Sequence, residues 1–419
     1  MKVNEFEKHE SQVRSYCRNF PIVFNGAKMD ELVSEEGKQY IDFFAGAGAI
    51  NYGHNNPYIK SKIMEYLSED NIIHALDMYT VEKRNFIKVF NENILEPKKL
   101  NYKIMFCGST GTNAVEAALK LARKNKKREN VFAFSGAFHG MTLGSLALTS
   151  DTYSRGGAGV PLSNVTFMPY SNQFDDWKKS IEYIEWALND DHSGISKPAA
   201  IVLETVQAEG GINVAQIEWL REIRRICDEN DIVMICDDIQ VGCCRTGEFF
   251  SFERAEIIPD MVVLSKSISG FGLPMSILLI KPELDIFGPA EHNGTFRGNQ
   301  LAFIGAAAAI EYYKEVNLPS KVKKNEKTIK EFIEKKILTI DERLFARGIG
   351  MIWGIDFSGI DGSLSKAAMQ ECVKNGVIIE RAGRGDSVLK ILPPLVICEE
   401  NLIKGLEIVK DAIITILKG

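Results

Sequence analysis

Short apolar runs alternate along the chain with longer stretches in which apolar residues recur every three or four positions. The runs at 102–106, 131–134, 199–204, 232–236, 261–264 and 276–280 are largely apolar, several of them rich in Val and Ile, and predict short buried strands. Between them the period becomes helical. Val115, Ala118, Leu119 and Ala122 share one face after the turn CGSTGTN, and Ile217, Leu220, Ile223 and Cys227 share one face over 216–229. Helices are also expected within 56–93, where Ile59, Ile63 and Leu67 recur, over 301–313, and in a lysine-rich stretch reaching 336. Strands that feed helices and are apolar on both sides predict an α/β fold, a mostly parallel mixed sheet with helices on both faces. The remainder, with strands near 351–357, 377–380 and 388–391 and a closing helix over 400–417, reads as a smaller α+β domain. A run at 40–44, YIDFF, adds an early strand before AGAGAINYGHNNP. The expected division is an N-terminal segment, 1–55, joining the small domain, a large domain over 56–315, and a C-terminal small domain over 316–419. No internal repeat or low-complexity tract interrupts it.

The candidate chemistry falls at the ends of the predicted strands. In PDMVVLSKSISGFGLP, Lys266 directly follows one strand and opens a loop containing Gly270 and Gly272. Ligands of open α/β sheets sit beyond the carboxyl ends of strands, where a desolvated lysine can lose its proton and attack a carbonyl. Asp237 and Asp238 end a second strand. A buried carboxylate needs a partner, and adjacent strand residues face opposite ways, so one acid is expected to serve chemistry and the other structure. After a third strand, Gly108, Ser109, Thr110, Gly111 and Thr112 open a helix whose free N–H groups and dipole form an anion cradle. No GK[ST] follows, so this is not a P-loop. Phe138, beside a histidine between glycines, can present a flat ring to a flat cofactor. Gly46, Gly48 and Gly53 have GxGxxxxG spacing with no clear helix at once, which favours a loop admitting substrate close to backbone over a dinucleotide site. Gly294, Thr295 and Gly298 predict a tight loop carrying a hydroxyl.

Each feature alone has an ordinary reading, as a surface lysine, a capped helix or a core phenylalanine. Together they supply a lysine for an imine, an acid to keep a pyridine nitrogen protonated and a cradle for a dianion. These are the requirements of pyridoxal 5'-phosphate.

Composition narrows the alternatives. A 419-residue chain with 45% hydrophobic and 25% charged residues is long enough for two or three domains and is ordinary for a globular protein. Its net charge of -6 argues against nucleic acid or an anionic membrane as the main partner. The basic clusters at 124–128 and 321–324 read as solvated helix faces. Eight cysteines without a CxxC pair or zinc-like spacing are expected to be reduced thiols in a cytoplasmic protein, with no metal site. No apolar run reaches membrane-spanning length, and the charged start MKVNEFEKHE does not read as a signal peptide. The tripeptide Arg384, Gly385, Asp386 is a chance adhesion-like match.

Over nearly its whole length the chain resembles the class III aminotransferases of the fold-type I pyridoxal phosphate enzymes. The carriers are the turn before AVEAALKLAR, the FHG triplet, ETVQAEGG, DDIQVGCCRTGEFF, LSKSISG and GTFRGNQLA. The resemblance implies that Lys266 bonds the cofactor aldehyde, Asp237 pairs with the ring nitrogen, Gln240 bonds the ring hydroxyl, and Ile239 and Phe138 cover the two ring faces. It further implies that Gly111 and Thr112 hold the phosphate through backbone N–H groups. Thr295 would reach the phosphate from a second copy of the chain, hence a homodimer or a larger assembly of dimers.

Within the class, SQVRSYCRNFP, IDFFAGAGAINYGHNNP, LSKSISGFGLPMS and EHNGTFRGNQLAF imply transfer of an amino group from L-glutamate to L-aspartate 4-semialdehyde, as in ectoine synthesis. The products would be L-2,4-diaminobutanoate and 2-oxoglutarate, made in a ping-pong cycle. The chain departs from the class pattern at three positions. Asp238 stands for the usual Glu, Arg297 for a glycine, and Lys390, in LKILPP, for an arginine that binds a substrate carboxylate. Lysine offers a point charge in place of a bidentate fork, which makes Arg297, and more weakly Arg14 and Arg18, candidates to share that role. Glu209 would gate between the two substrates by pairing with a basic residue. Met141 replaces an arginine carried by some 4-aminobutyrate enzymes. Two rivals stay open: another class III ω-aminotransferase or an aminomutase, and a nucleotide-binding regulatory protein using GAGAINYG or GSTGT as a phosphate loop.

Overall fold

The computed structural model describes residues 4–418, so the first three residues of the charged start lie outside the described residues. Seven short strands form the large sheet: β1 (Lys103–Phe106), β2 (Val131–Phe134), β3 (Val165–Met168), β4 (Ala200–Leu203), β5 (Val233–Asp237), β6 (Met261–Leu264) and β7 (Ile277–Ile280). Their spatial order is β1-β7-β6-β5-β4-β2-β3. Only β7 is antiparallel to its neighbours, and the remaining pairings are parallel. The register decides where the chemistry gathers. Asp237 pairs with Val263, and Leu264, Ile277 and Phe106 lie side by side across β6, β7 and β1. The loops carrying Asp238, Lys266 and Gly111 therefore leave one edge of the sheet.

Alternate residues of each strand enter different cores, as the pleat requires. Phe132, Phe134, Met234, Cys236, Val262 and Leu264 pack toward Trp219, Ile223 and Phe303. Val131, Ala133, Val233, Ile235 and Val263 pack on Ala114, Ala118 and Leu121 of the helix Gly111–Lys126. A further core holds Phe20, Tyr40 and Phe43 from the start of the chain against Ile355, Leu389, Leu406 and Val409 from its end. Strands Phe24–Lys28, Glu31–Ser34 and Gln39–Asp42 continue into Val377–Ile378, which runs parallel to Gln39–Asp42. An antiparallel sheet of Phe345–Ile349, Ile352–Asp356, Val388–Ile391 and Glu380–Ala382 lies beyond it. The helix Gln300–Glu315 feeds both bodies, with Phe303 and Ala306 in one core and Ile304 and Ala308 in the other.

Several elements escape the hydrophobic pattern. The strand β3 is a partly exposed edge, and the hairpin of Phe24–Lys28 with Glu31–Ser34 is mostly exposed or half-buried, so neither shows a strong apolar period. Where no helix was expected after YIDFF, Ala45–Gly48 makes a tight turn built on left-handed Ala45, Gly46 and Ala47, at φ 49°, 57° and 57°. No helix of the described residues is long and apolar enough to cross a membrane.

The loop after β6 is held down by close backbone packing. At Gly270, φ is +73°, and an added Cβ would lie 2.4 Å from both Ala309 Cβ and the Gly305 carbonyl oxygen on the helix Gln300–Glu315. Gly270→Ala is expected to destabilise the protein by about 3 kcal/mol, read as a lowered thermal unfolding midpoint.

Candidate active site

A cavity at the carboxyl-end edge of the sheet is lined by Gly111, Thr112, Phe138, Glu209, Asp237, Ile239, Gln240 and Lys266, with His139 and Glu204 among the remaining wall residues. Lys266 opens a short 3-10 turn, Lys266–Ser269, with φ at 49°. A left-handed conformation at a non-glycine residue persists only where surroundings enforce it. Here Ser267 Oγ donates to the Gly48 carbonyl at 2.7 Å and accepts from Asn51 N at 3.1 Å, tying the turn to the glycine loop. Lys266 Nζ donates to the Ala47 carbonyl at 2.8 Å. Desolvation lowers its pKa, with the Glu209 charge opposing. The amine is thus shifted toward the neutral, nucleophilic form.

The two aspartates part as strand alternation demands. Asp237, 5% exposed, faces the cavity; its Oδ2 meets His139 Nδ1 at 2.7 Å and its Oδ1 accepts from Ile239 N at 3.1 Å. Burial works against a charged His139, but the bond to Asp237 and its charge prevail and raise the imidazole pKa. Asp238 turns away, accepting from Ser251 N at 3.0 Å and from Ser251 Oγ. Burial raises its carboxyl to about 7.

The helix Gly111–Lys126 begins after Thr110, whose side chain makes no cap bond. Its first N–H groups therefore face the cavity without a side-chain partner at the cap. A Cβ on Gly111 would lie 2.7 Å from Ile239 Cδ1, so the glycine leaves Ile239 its place in the wall. Thr112 Oγ1 bonds Thr142 Oγ1 at 2.6 Å and Ser145 Oγ at 2.8 Å. Phe138 lines the same cavity, and its N donates to Glu204 Oε1 at 3.1 Å. Burial lifts the Glu204 carboxyl to about 8.

Glu209 receives Gln240 Nε2 at 3.0 Å and Lys390 Nζ at 2.7 Å, while Gln240 Nε2 also donates to the Ala47 carbonyl at 2.9 Å. Burial would raise the Glu209 carboxyl, yet Lys390 and then Lys266 hold it down at about 2. Lys390 lies fully buried behind Glu209, not in the cavity wall, and a second carboxylate, Glu380, meets it at 2.8 Å.

Other predicted residues lie elsewhere in the chain. Thr295 sits exposed in the turn Thr295–Gly298, outside this cavity, and Arg297 Nη2 pairs with Asp77 at 2.5 Å. Arg14 lies 3.6 Å from Glu10, and Arg18 donates to Gln12.

Residues 14–413 match the family model for class-III aminotransferases. The chain belongs to the class-III aminotransferases. A diaminobutyrate–2-oxoglutarate transaminase of Streptomyces avermitilis is 50% identical over 413 residues, covering 97% of each chain. The protein of the same name from Wolinella succinogenes is 49% identical over 414 residues, covering 99% of this chain and 96% of its own. Among solved structures, the ornithine aminotransferase of Toxoplasma gondii superposes with a TM-score of 0.85 at 22% identity, covering 99% of this chain and 93% of its own. An S-selective transaminase from Arthrobacter sp. superposes with a TM-score of 0.87 at 22% identity, covering 100% and 98%.

This class-III aminotransferase uses pyridoxal 5'-phosphate, and its cavity fits that group. The wall offers an amine for the aldehyde, a buried carboxylate, two apolar faces at Phe138 and Ile239, and a helix start for an anion. Among the described residues Gln240 Oε1 is buried without a hydrogen-bond partner, as an acceptor awaiting a hydroxyl would be.

Sequence reasoning gave no role to His139, Glu204 or Glu380. His139 stands within the quoted FHG triplet, but its partner lies 98 residues away. Glu380 faces Lys390 across an antiparallel pair, which needs the turn between them to be known.

Proposed function

We propose that this class-III aminotransferase moves the amino group of L-glutamate onto L-aspartate 4-semialdehyde, giving L-2,4-diaminobutanoate and 2-oxoglutarate in ectoine synthesis. What carries this reading is identity near 50% over almost the whole chain to proteins named diaminobutyrate–2-oxoglutarate transaminase.

When bound, pyridoxal phosphate supplies an electron sink that allows the C–H bond beside the amine to break. Lys266 Nζ, shifted toward its neutral form, would take that proton and deliver it to the carbon on the far side of the nitrogen. Asp237, fixed by His139 and Ile239 N, would keep a proton on the ring nitrogen. Gly111 and Thr112 would hold the phosphate at the helix start, Phe138 and Ile239 would cover the ring, and Gln240 would receive its hydroxyl. Glu209 meets the far end of the substrate with the buried Lys390 acting through it, and Arg297, which lies outside this cavity, would serve the substrate carboxylate only from a second copy of the chain.

The working unit is a cytoplasmic homodimer in which Thr295 reaches the phosphate of a second copy. In support, Thr295 is exposed beside an apolar surface of Leu76, Met78, Tyr79 and Phe296, and Ala75 N bonds the Gly298 carbonyl at 3.2 Å.

Product analysis tests the substrate pair. With L-glutamate and L-aspartate 4-semialdehyde the enzyme should release L-2,4-diaminobutanoate and 2-oxoglutarate in equal amounts. Faster turnover with 4-aminobutanoate as donor and other acceptors would replace the pair while leaving the enzyme class intact.

A further inference from the structure

Lys390 has two carboxylate partners where charge balance needs one. It is fully buried between Glu209 at 2.7 Å and Glu380 at 2.8 Å. The two acids stand on opposite sides of its role. Glu209 reaches the cavity wall beside Lys266, whereas Glu380 is 4% exposed on the strand Glu380–Ala382, in register with Lys390. Among the described residues Glu380 Oε1 also has no partner in hydrogen-bonding geometry, so the ion pair with Lys390 only partly satisfies it. Burial lifts the Glu380 carboxyl first, with Lys390 opposing, and the ammonium 2.8 Å away favours its charged form.

A lone Lys390–Glu209 pair would present a neutral dipole to the cavity. With Glu380 ionised, the cluster carries one surplus negative charge, in a setting where burial weakens screening. The Tyr16 hydroxyl senses this field. Burial raises it first, Glu380 and Glu209 raise it further, Lys390 opposes, and it stands at about 12. The proposed acceptor, L-aspartate 4-semialdehyde, carries an α-ammonium that takes no part in the reaction. L-glutamate has no second ammonium, because its only amine is the one that reacts.

Resting on the substrate pair proposed above, we infer that Glu380 sets acceptor specificity: by neutralising Lys390 from behind, it leaves the Glu209 charge free to receive the α-ammonium of the amino-aldehyde. Glu380 is thus a positioning residue that acts through Lys390 and Glu209. It favours substrates with a second cation and disfavours those with a bare anionic tail.

The test compares L-aspartate 4-semialdehyde with succinate semialdehyde, which differs only in lacking the α-ammonium, and follows the L-glutamate half-reaction alongside. A wild-type holoenzyme that makes no diaminobutanoate sinks the substrate reading itself. Given that activity, wild type is expected to prefer the amino-aldehyde in kcat/KM by on the order of tenfold or more. Glu380→Gln should cut that preference by a similar factor while the KM for glutamate stays level or falls, and Glu380→Asp should restore the preference. A wild type without the preference overturns the inference, even if no variant folds. So does a Glu380→Gln enzyme that keeps the ratio, or one that loses all three activities equally, since a purely structural role would do that.

Discussion

Lys266→Ala is expected to lose amino transfer by at least ~10⁴-fold and to purify without the absorbance of protein-bound vitamin B6 aldehyde. The fold should survive. Among the described residues the Nζ makes a single hydrogen bond, to the Ala47 carbonyl, and Gln240 Nε2 still donates to that oxygen in the variant. Removing an amine whose charge burial already disfavours relieves a desolvation cost. An unchanged thermal midpoint with no turnover would place the loss in the chemistry. Persisting turnover in the variant would remove Lys266 from its role, and the proposed mechanism with it.

Asp237→Asn should lower turnover by about 10²–10³-fold, the scale of losing one preorganised electrostatic contact. Asparagine keeps the shape and can still accept from Ile239 N, but it cannot oppose a cationic ring. The change has a second signature at His139. Its bond to Asp237 and that charge raise the imidazole pKa against burial, so without the carboxylate the ring should titrate lower, readable by NMR. Asp238→Asn is the matched control. That carboxylate bonds Ser251 rather than the cavity, so its loss should cost stability before it costs turnover. Equal kinetic losses for both variants would contradict the division of labour between the two acids.

Much of the framework was legible because local chemistry repeats a period. Six of the seven large-sheet strands announce themselves as apolar runs, and the helix Gly111–Lys126 shows its buried stripe at Val115, Ala118, Leu119 and Ala122. Edge elements were harder to read. A partly exposed strand such as β3 needs no apolar alternation, and the left-handed turn at Ala45–Gly48 reflects tertiary enforcement at two alanines that disfavour it. Lys266 is the same case, since nothing in LSKSISG announces a φ of 49°.

From sequence alone came the strand ends that carry the lysine, the acid and the glycine turn, and the family they resemble, because each is a short-range statement about burial and turn chemistry. Only the tertiary structure joined His139 to Asp237, set Ala47 against Lys266 and placed Glu380 behind Lys390. Those contacts depend on strand order and register, and a charge is held in a protein interior only by a partner that the whole fold brings within reach.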